Sequence, residues 1–271
     1  MRRFSLHKTP VVGSEELITG QDARHIALVL RLKPGDDILL LTGDGQEYSA
    51  RIRSVNTDGV RVDVLSVHSS RTDPVVELTV ALGFLKEKKM DELVRQLTEL
   101  GMHRFQPFFA RRTVSRPDEG RMTTRVARWE KIARESLKQC RRGSVPEIRP
   151  SVSFDEVLSL TAQDDVKIVF WEQEASLSIP DADDPVRKKP LRITILLGPE
   201  GGLTEEEVQA ARSNGFSVCS LGPRILRAET AVVAACALIQ FVYGDMGNSR
   251  DRKSEIGSLR SEKTRPANPE T

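Results

Sequence analysis

The stretches LLGPEGGLTEEEV (residues 196–208) and LGPRILRAETA (residues 221–231) decide the fold of this chain. In each stretch an apolar run ends in a Gly-Pro turn, and the pattern of a helix follows. Short apolar runs that alternate with helices are typical of an α/β sheet with a substantial parallel component. Ligands of such sheets bind at the carboxyl ends of the strands, so we expect both turns to line a binding site.

The two turns lack the composition of a phosphate site. The first contains neither the G-x-x-x-x-G-K-[ST] nor the G-x-G-x-x-G pattern, and Glu200 would repel phosphate. Pro199 and Pro223 also remove backbone donors that a phosphate would need. The neighbouring glycines permit close backbone approach, which favours a flat heterocycle bound by backbone N–H and C=O groups. Thr204 and Glu207 form a T-x-x-E capping box, so part of the first motif has a purely structural explanation.

Three charged residues stand at the start of a very apolar helix. Arg224, Arg227 and Glu229 lead into Ala231–Tyr243, a segment that is apolar on nearly every face. We expect such a helix to be buried on all sides, either in the core or between subunits. The charges at its entrance predict a functional site, although an acid at position 229 also suits a helix N-terminus.

The remaining patterns predict two domains and a tail. Alternating strands around the Gly43–Gly45 turn, with a short helix from Asp22, indicate a small β-barrel. The polar segment His68–Pro74 predicts a boundary, and strands alternate with helices after it, including a helix that Gly101 closes. The domains assigned are residues 1–72, residues 73–245 and a polar tail, residues 246–271, that we expect to be disordered.

Composition excludes several classes of protein. Of 271 residues, 38% are apolar and 30% are charged, as in ordinary globular domains. The three cysteines and four histidines have no metal-ligand spacing, so we expect reduced thiols and no metal site. The N-terminus has no apolar core of a signal peptide, and residues 231–243 are too short to span a bilayer. These features predict a cytoplasmic protein that does not enter a membrane.

A net charge of +2 hides a basic segment. Residues 111–149 contain twelve Lys or Arg and five Asp or Glu. Such a segment predicts a polyanion partner, and the alternative is an ordinary solvated helix face.

The two stretches resemble the signature of the SPOUT methyltransferases, and within them the RsmE family, which methylates N3 of a uridine in 16S ribosomal RNA. The resemblance continues through HIALVLRLKPGD (25–36), KKMDELVRQLTELG (88–101), RWEKIARESLKQC (128–140) and SVPEIRP (144–150), and it covers residues 1–245. It implies a PUA-like barrel before an α/β domain with a deep trefoil knot. It also implies S-adenosyl-L-methionine as cofactor, 16S rRNA within the small ribosomal subunit as partner, and a homodimer.

The resemblance assigns roles to individual residues. It places cofactor binding at Trp171, Leu197, Gly198, Pro199, Glu200, Gly201, Leu221, Gly222, Pro223, Ile225 and Leu226. Arg227 is predicted to hold the target base or its developing anion, and Glu229 to accept a proton or to orient Arg227. RNA contacts are predicted at Arg31, Lys86, Arg112, Arg128, Arg142 and Arg224. We expect valine at Gly201 to abolish donor binding by filling ligand space. Removing the charges of Arg112, Arg128 and Arg142 should weaken RNA binding and leave donor affinity unchanged.

Three positions depart from the family pattern. Gln96 stands where Lys is usual, Arg111 where Glu is usual, and Arg141 where Gly is frequent. The first two changes are either a compensated pair or an altered RNA contact. Two alternatives to the RsmE activity stay open: a non-catalytic ribosome-binding protein, and a SPOUT enzyme with another RNA target, such as a ribose 2′-hydroxyl.

Overall fold

The fold was analysed in a computed structural model that describes residues 1–6, 8–56, 59–86, 88–114, 116–174, 179 and 190–247. His7 and the predicted tail from residue 248 onward lie outside the described residues.

The N-terminal part of the chain forms a five-stranded sheet. Its strands are β1 (Arg2–Ser5), β2 (Glu15–Ile18), β3 (Asp37–Leu41), β4 (Gln46–Asn56) and β5 (Gly59–Ser69), in the spatial order β1-β3-β4-β5-β2. Tyr48, Ala50 and Ile52 of β4 point alternately into a separate apolar core, which confirms the predicted period of two. Helix α1 (Gly20–Arg24) continues as a π-helical turn to Leu30, so the helix predicted from Asp22 begins two residues earlier than expected.

The C-terminal part is a parallel α/β sheet, as predicted. Its strands are β6 (Val76–Gly83), β7 (Arg104–Phe109), β8 (Glu147–Ile148), β9 (Val152–Ser153), β10 (Val166–Phe170), β11 (Leu191–Leu197) and β12 (Ser217–Cys219). The order is β12-β10-β11-β6-β7-β8, with β9 beside β7, and every described pair is parallel. The helices are α2 (Lys88–Glu99), α3 (Glu119–Cys140), α4 (Phe154–Leu160), α5 (Glu205–Ser213) and α6 (Ala228–Val242).

Helices cover both faces of this sheet. Apolar residues of α2, α3 and α6 pack on one face, and those of α4 and α5 pack on the other. Helix α2 ends where Gly101 has a φ of +84°, which is the C-cap that the sequence predicts. The trefoil knot implied by the family resemblance stays a prediction.

Helix α6 is not buried on all sides within the chain. Val232, Cys236 and Ile239 are buried against the sheet, but Phe241 is 61% exposed. Between α2 and α6 lies an open groove of about 610 Å³, lined by Leu93, Gln96, Val233, Ala234, Ala237 and neighbouring polar residues. The chain therefore covers one side of this helix and leaves the other side open. Among the described residues, no helix is both long and apolar enough to cross a membrane.

The predicted boundary segment His68–Pro74 is anchored rather than free. Strand β5 runs to Ser69, and the Asp73 carboxylate accepts backbone N–H groups of Gly143 (2.8 Å) and Ser144 (3.0 Å). Lys138 of α3 also forms an ion pair with Asp22 at 2.9 Å. These contacts join the N-terminal sheet to the α/β sheet, and the division at residue 72 stays a prediction.

Candidate active site

The carboxyl ends of four parallel strands meet at one edge of the sheet. The register pairs Leu82 of β6 with Leu197 of β11, Leu197 with Phe170 of β10, and Phe170 with Cys219 of β12. The chain segments that follow these residues are therefore neighbours in space. Both Gly-Pro turns are brought together at this edge, as the sequence predicts, and Trp171 lies there too, as the family resemblance implies.

The first turn is packed backbone against backbone. A Cβ atom added to Gly83 would lie 2.4 Å from Pro199 Cδ, and one added to Gly198 would lie 2.8 Å from the carbonyl carbon of Gly202. Gly202 has a φ of +69° and donates its N–H to Pro199 O at 2.9 Å. This close approach fixes the turn against the end of β6.

The structure changes the reason for which a side chain at Gly201 is expected to disturb the site. A Cβ atom at this position would lie 2.9 Å from Arg112 Cβ and 3.2 Å from Arg112 O. A side chain at Gly201 would therefore collide with the loop after β7 rather than fill open ligand space. Valine at this position is still expected to disturb the turn, but the physical reason is displacement of Arg112.

Glu200 tethers the first turn to the start of α2 and to the residue Lys86 before it. Glu200 Oε1 accepts the backbone N–H of Lys86 at 3.2 Å and lies 3.5 Å from Lys89 Nζ. Sequence reasoning gave Lys89 no role. The sequence does contain one indication of such a role. Lys89 is a cation in the first turn of a helix, where the macrodipole disfavours positive charge unless a carboxylate lies nearby.

The basic loop after β7 tethers the same turn from the other side. Arg112 Nη1 donates to Gly201 O at 3.1 Å and to Leu203 O at 3.4 Å. The backbone N–H of Arg111 donates to the buried Glu207 carboxylate at 2.8 Å, and Glu207 also completes the predicted capping box of α5. Arg112 is exposed, but its guanidinium also holds the turn, so the expectation that its loss would leave donor affinity unchanged is replaced.

The second turn, residues 221–226, leaves backbone groups available. Gly222 has a φ of +99° and donates its N–H to Ser220 Oγ at 3.1 Å. The N–H groups of Leu221, Ile225 and Leu226 donate to no atom of the described residues. Trp171 beside this turn is half-buried, and its indole N–H is buried without a partner among the described residues. These donors fit a heterocyclic ligand.

Arg227 and Glu229 stand at the start of α6 with different environments. Arg227 is the N-cap residue, is exposed, and makes no side-chain hydrogen bond or ion pair within the described part of the chain. Glu229 Oε2 lies 3.1 Å from Lys89 Nζ. The hydrogen bond from its own backbone N–H, opposed by burial and aided by Lys89, lowers the pKa of Glu229. A lowered pKa makes a carboxylate a weaker proton acceptor, and the role of Glu229 as proton acceptor or as orienting partner of Arg227 stays a prediction.

The predicted RNA contacts divide into surface and buried residues. Arg31, Lys86 and Arg224 are exposed. Arg128 is also exposed, and it forms an ion pair with Asp91 at 2.5 Å.

The prediction that Arg142 contacts RNA is wrong, because this residue is only 3% exposed. Its guanidinium Nη1 donates to Thr98 O and to Met102 O, both at 2.9 Å, at the end of α2. Burial also lowers the pKa of Arg142. A guanidinium held in this way supports the fold, and it is not available to contact RNA.

The structure explains one departure from the family pattern and separates the other two. Arg141 has a φ of +69° at the C-cap of α3, a conformation that glycine adopts without strain. Gln96 lines the groove between α2 and α6, whereas the Arg111 side chain forms an ion pair with Glu206. Gln96 and Arg111 therefore have different neighbours, which argues against a compensated pair. Within the described ranges, no three His, Cys, Asp or Glu side chains are grouped as metal ligands would be.

Comparison with known proteins defines the class of this chain. Residues 71–240 match the family model of an RNA methyltransferase domain, and residues 18–65 match that of an RNA methyltransferase PUA domain. The chain thus has the domains of an RNA methyltransferase with an N-terminal PUA domain.

The relatives define the family. The chain is 34% identical over 227 residues to the ribosomal RNA small subunit methyltransferase E of Bacillus subtilis, covering 83% of this chain and 89% of that protein. It belongs to the ribosomal RNA small subunit methyltransferase E family. The solved structure of the Neisseria gonorrhoeae enzyme of that name, bound to S-adenosyl methionine, is 29% identical with a TM-score of 0.78, covering 91% of this chain and 99% of that one. A Legionella pneumophila methyltransferase with bound SAM is 27% identical with the same TM-score, covering 90% and 98%.

Proposed function

We propose that this protein transfers a methyl group from S-adenosyl-L-methionine to N3 of a uridine in 16S rRNA of the small ribosomal subunit, in the cytoplasm. The observation that carries the proposal is the sheet edge where both Gly-Pro turns lie, with Arg227 directly after the second; its guanidinium has no hydrogen bond or ion pair within the described residues. The family membership and the cofactor bound by the Neisseria gonorrhoeae relative support it.

The residues of this edge fit the cofactor. The unpartnered N–H groups of the second turn and of Trp171 suit an adenine base, and the closely packed first turn forms a rigid wall. The residues proposed to hold it are Trp171, Leu197, Gly198, Pro199, Glu200, Gly201, Leu221, Gly222, Pro223, Ile225 and Leu226. When bound, the cofactor supplies a methyl group on a sulfonium centre.

Arg227 is the proposed contact to the target base. Uracil N3 is a poor nucleophile while protonated, so its proton must leave before or during transfer. A free guanidinium beside the base would stabilise the resulting anion by charge-assisted hydrogen bonds. Glu229, with its lowered pKa, stays ionised and adds its negative charge to the field that orients Arg227.

Nucleoside analysis tests this function directly. Unmethylated small subunits are incubated with labelled donor and protein, and the RNA is digested and analysed by mass. We expect a base-methylated uridine with the native protein and its loss by a factor of 100 or more, on the order of one oxyanion-hole donor, with Arg227→Met. Arg192→Met, at the amino end of β11 on the opposite sheet edge, is the matched control.

Other products would decide between the alternatives. A methyl group on a ribose would replace the N3 proposal by a 2′-hydroxyl target. Absence of stoichiometric donor binding together with tight subunit binding would favour a non-catalytic ribosome-binding protein.

The proposed RNA surface consists of Arg31, Lys86, Arg112, Arg128 and Arg224, without the buried Arg142. Each phosphate contact that is removed should reduce the slope of log affinity against log salt by about 0.7 to 0.9. A Lys86→Gln, Arg224→Gln variant should therefore lower that slope, whereas Arg192→Gln should not. An unchanged slope would indicate that these residues do not contact RNA and form an ordinary solvated surface.

We also propose that the protein is a homodimer, in which the open groove between α2 and α6 receives a second copy. Val233, Ala234 and Ala237 line this open groove and are only half-buried within the described chain, although Leu93 beneath them is buried. Sedimentation equilibrium at micromolar concentration should show twice the chain mass of 30.2 kDa. A monomer that still methylates RNA at that concentration would contradict the dimer.

A further inference from the structure

One lysine connects the two parts of the proposed site. Lys89 Nζ lies 3.1 Å from Glu229 Oε2 and 3.5 Å from Glu200 Oε1. Glu200 belongs to the first turn, and Glu229 stands at the start of α6, directly after the second turn. A single ammonium group therefore bonds to a carboxylate from each side of the site.

The ammonium group of Lys89 neutralises two carboxylates that are partly shielded from water. The Glu200 and Glu229 side chains are only 27% and 29% exposed, so water screens their charges incompletely. Both carboxylates lie within 3.5 Å of the same ammonium group, so without Lys89 they would repel each other. The backbone N–H of Lys86 also bonds to Glu200. Arg227 acts on Glu229 electrostatically, but within the described residues Lys89 is the cation that forms an ion pair with it.

The contacts survive over the working pH range. The hydrogen bond that Lys89 donates to Glu229 is the main cause that raises the pKa of Lys89, and the pKa of Glu229 is lowered. Both groups are therefore ionised between about pH 6 and pH 9, on either side of neutrality.

We infer that Lys89 is a positioning residue that fixes the first turn relative to the start of α6, and so sets the spacing of the two cofactor turns before the cofactor binds. The inference rests on the proposed function, because it concerns the same cofactor site. A site held in its bound geometry loses less conformational freedom on binding, so affinity depends on such tethers even where they touch no ligand atom.

The test compares Lys89→Met with Lys89→Arg. Calorimetry with S-adenosylmethionine should show a donor Kd about tenfold higher for the Met variant and close to native for the Arg variant, which keeps the charge. Because Lys89 is 39% exposed, the melting temperature should shift little. Lys167→Met, which removes a lysine that bonds to Asn214 O away from this edge, is the control.

A second variant addresses the other end of the tether. Glu200→Gln should raise the donor Kd by a similar factor, and Lys89→Met combined with Glu200→Gln should be no worse than the worse single variant, because both remove one contact. A donor Kd within about twofold of native in a folded Lys89→Met protein would overturn the inference. Equal losses in the Met and Arg variants would also overturn it. Failure of the proposed function is distinct, since the native protein would then form no methylated uridine.

Discussion

Replacing Arg142 by methionine removes a buried guanidinium that joins the end of α2 to the loop after α3. Methionine keeps much of the side-chain volume, so the lost interactions are chiefly the two hydrogen bonds to Thr98 O and Met102 O at 2.9 Å. Hydrogen bonds from charged donors contribute about 1.5 to 3 kcal/mol each. Burying a charge has a cost that the variant no longer bears, so we expect a net loss of about 3 kcal/mol in unfolding free energy.

The neighbouring arginine provides the control. Arg141 is exposed, and Arg141→Met keeps the same backbone and removes the same charge, so its unfolding free energy should change by less than about 0.5 kcal/mol. Urea unfolding followed by circular dichroism measures both variants against the native protein. For a domain of this size, 3 kcal/mol corresponds to a fall of roughly 10 °C in melting temperature.

One result would refute this reasoning. If the two variants were equally stable and Arg142→Met alone weakened RNA binding, the guanidinium would be a surface contact in solution. RNA affinity is therefore measured below the melting temperature of each variant, where loss of fold does not contribute.

Three further predictions concern the candidate site. Gly83→Ala should displace Pro199, whose Cδ would lie 2.4 Å from the new Cβ, and should raise the donor Kd more than tenfold. Gly120→Ala, whose new Cβ makes only an ordinary van der Waals contact, should leave the donor Kd unchanged. Equal Kd values for the two variants would show that the turn can move freely. Arg112→Met should raise the donor Kd roughly threefold to tenfold in the absence of RNA, because it loses the contacts to two loop carbonyls, and calorimetry that shows only weaker RNA binding would contradict this structural role. Because the pKa of Glu229 is lowered, its carboxylate stabilises the fold above the ordinary value of 4.5 and loses that contribution as pH falls through the lower folded value. Native protein should therefore have a higher urea midpoint than Glu229→Gln at pH about 7, and the difference should close in acid. A pH-independent difference would rule out the charge as its cause.

Local signals allowed much of the fold to be predicted from the sequence. The capping box of α5 and the left-handed Gly101 are set by residues within a few positions of each other, so their patterns are visible in the sequence. The Gly-Pro turns were placed at one sheet edge because parallel strands end together.

The missed features all depend on contacts between distant parts of the chain. Arg142 is one arginine in a basic run, and its burial depends on carbonyl groups about forty residues earlier. Lys89 has meaning only through Glu200 and Glu229, more than a hundred positions away. Gly201 was assigned to ligand space because its neighbour Arg112, 89 residues away, could not be seen in the pattern.

The binding site at the carboxyl ends of the strands can form only late in the synthesis of the chain. Its walls come from the end of β6 and from the start of α6, so the chain must be synthesised almost to residue 230 before they can meet. A nascent or truncated chain has Gly83 but lacks the residues that pack on it, and it cannot bind a ligand there. A ligand that binds only the complete fold stabilises it by RT ln(1 + [L]/Kd), about 2.7 kcal/mol at a hundredfold excess over Kd. Ligand occupancy therefore stabilises the completed fold and has no effect on an incomplete chain.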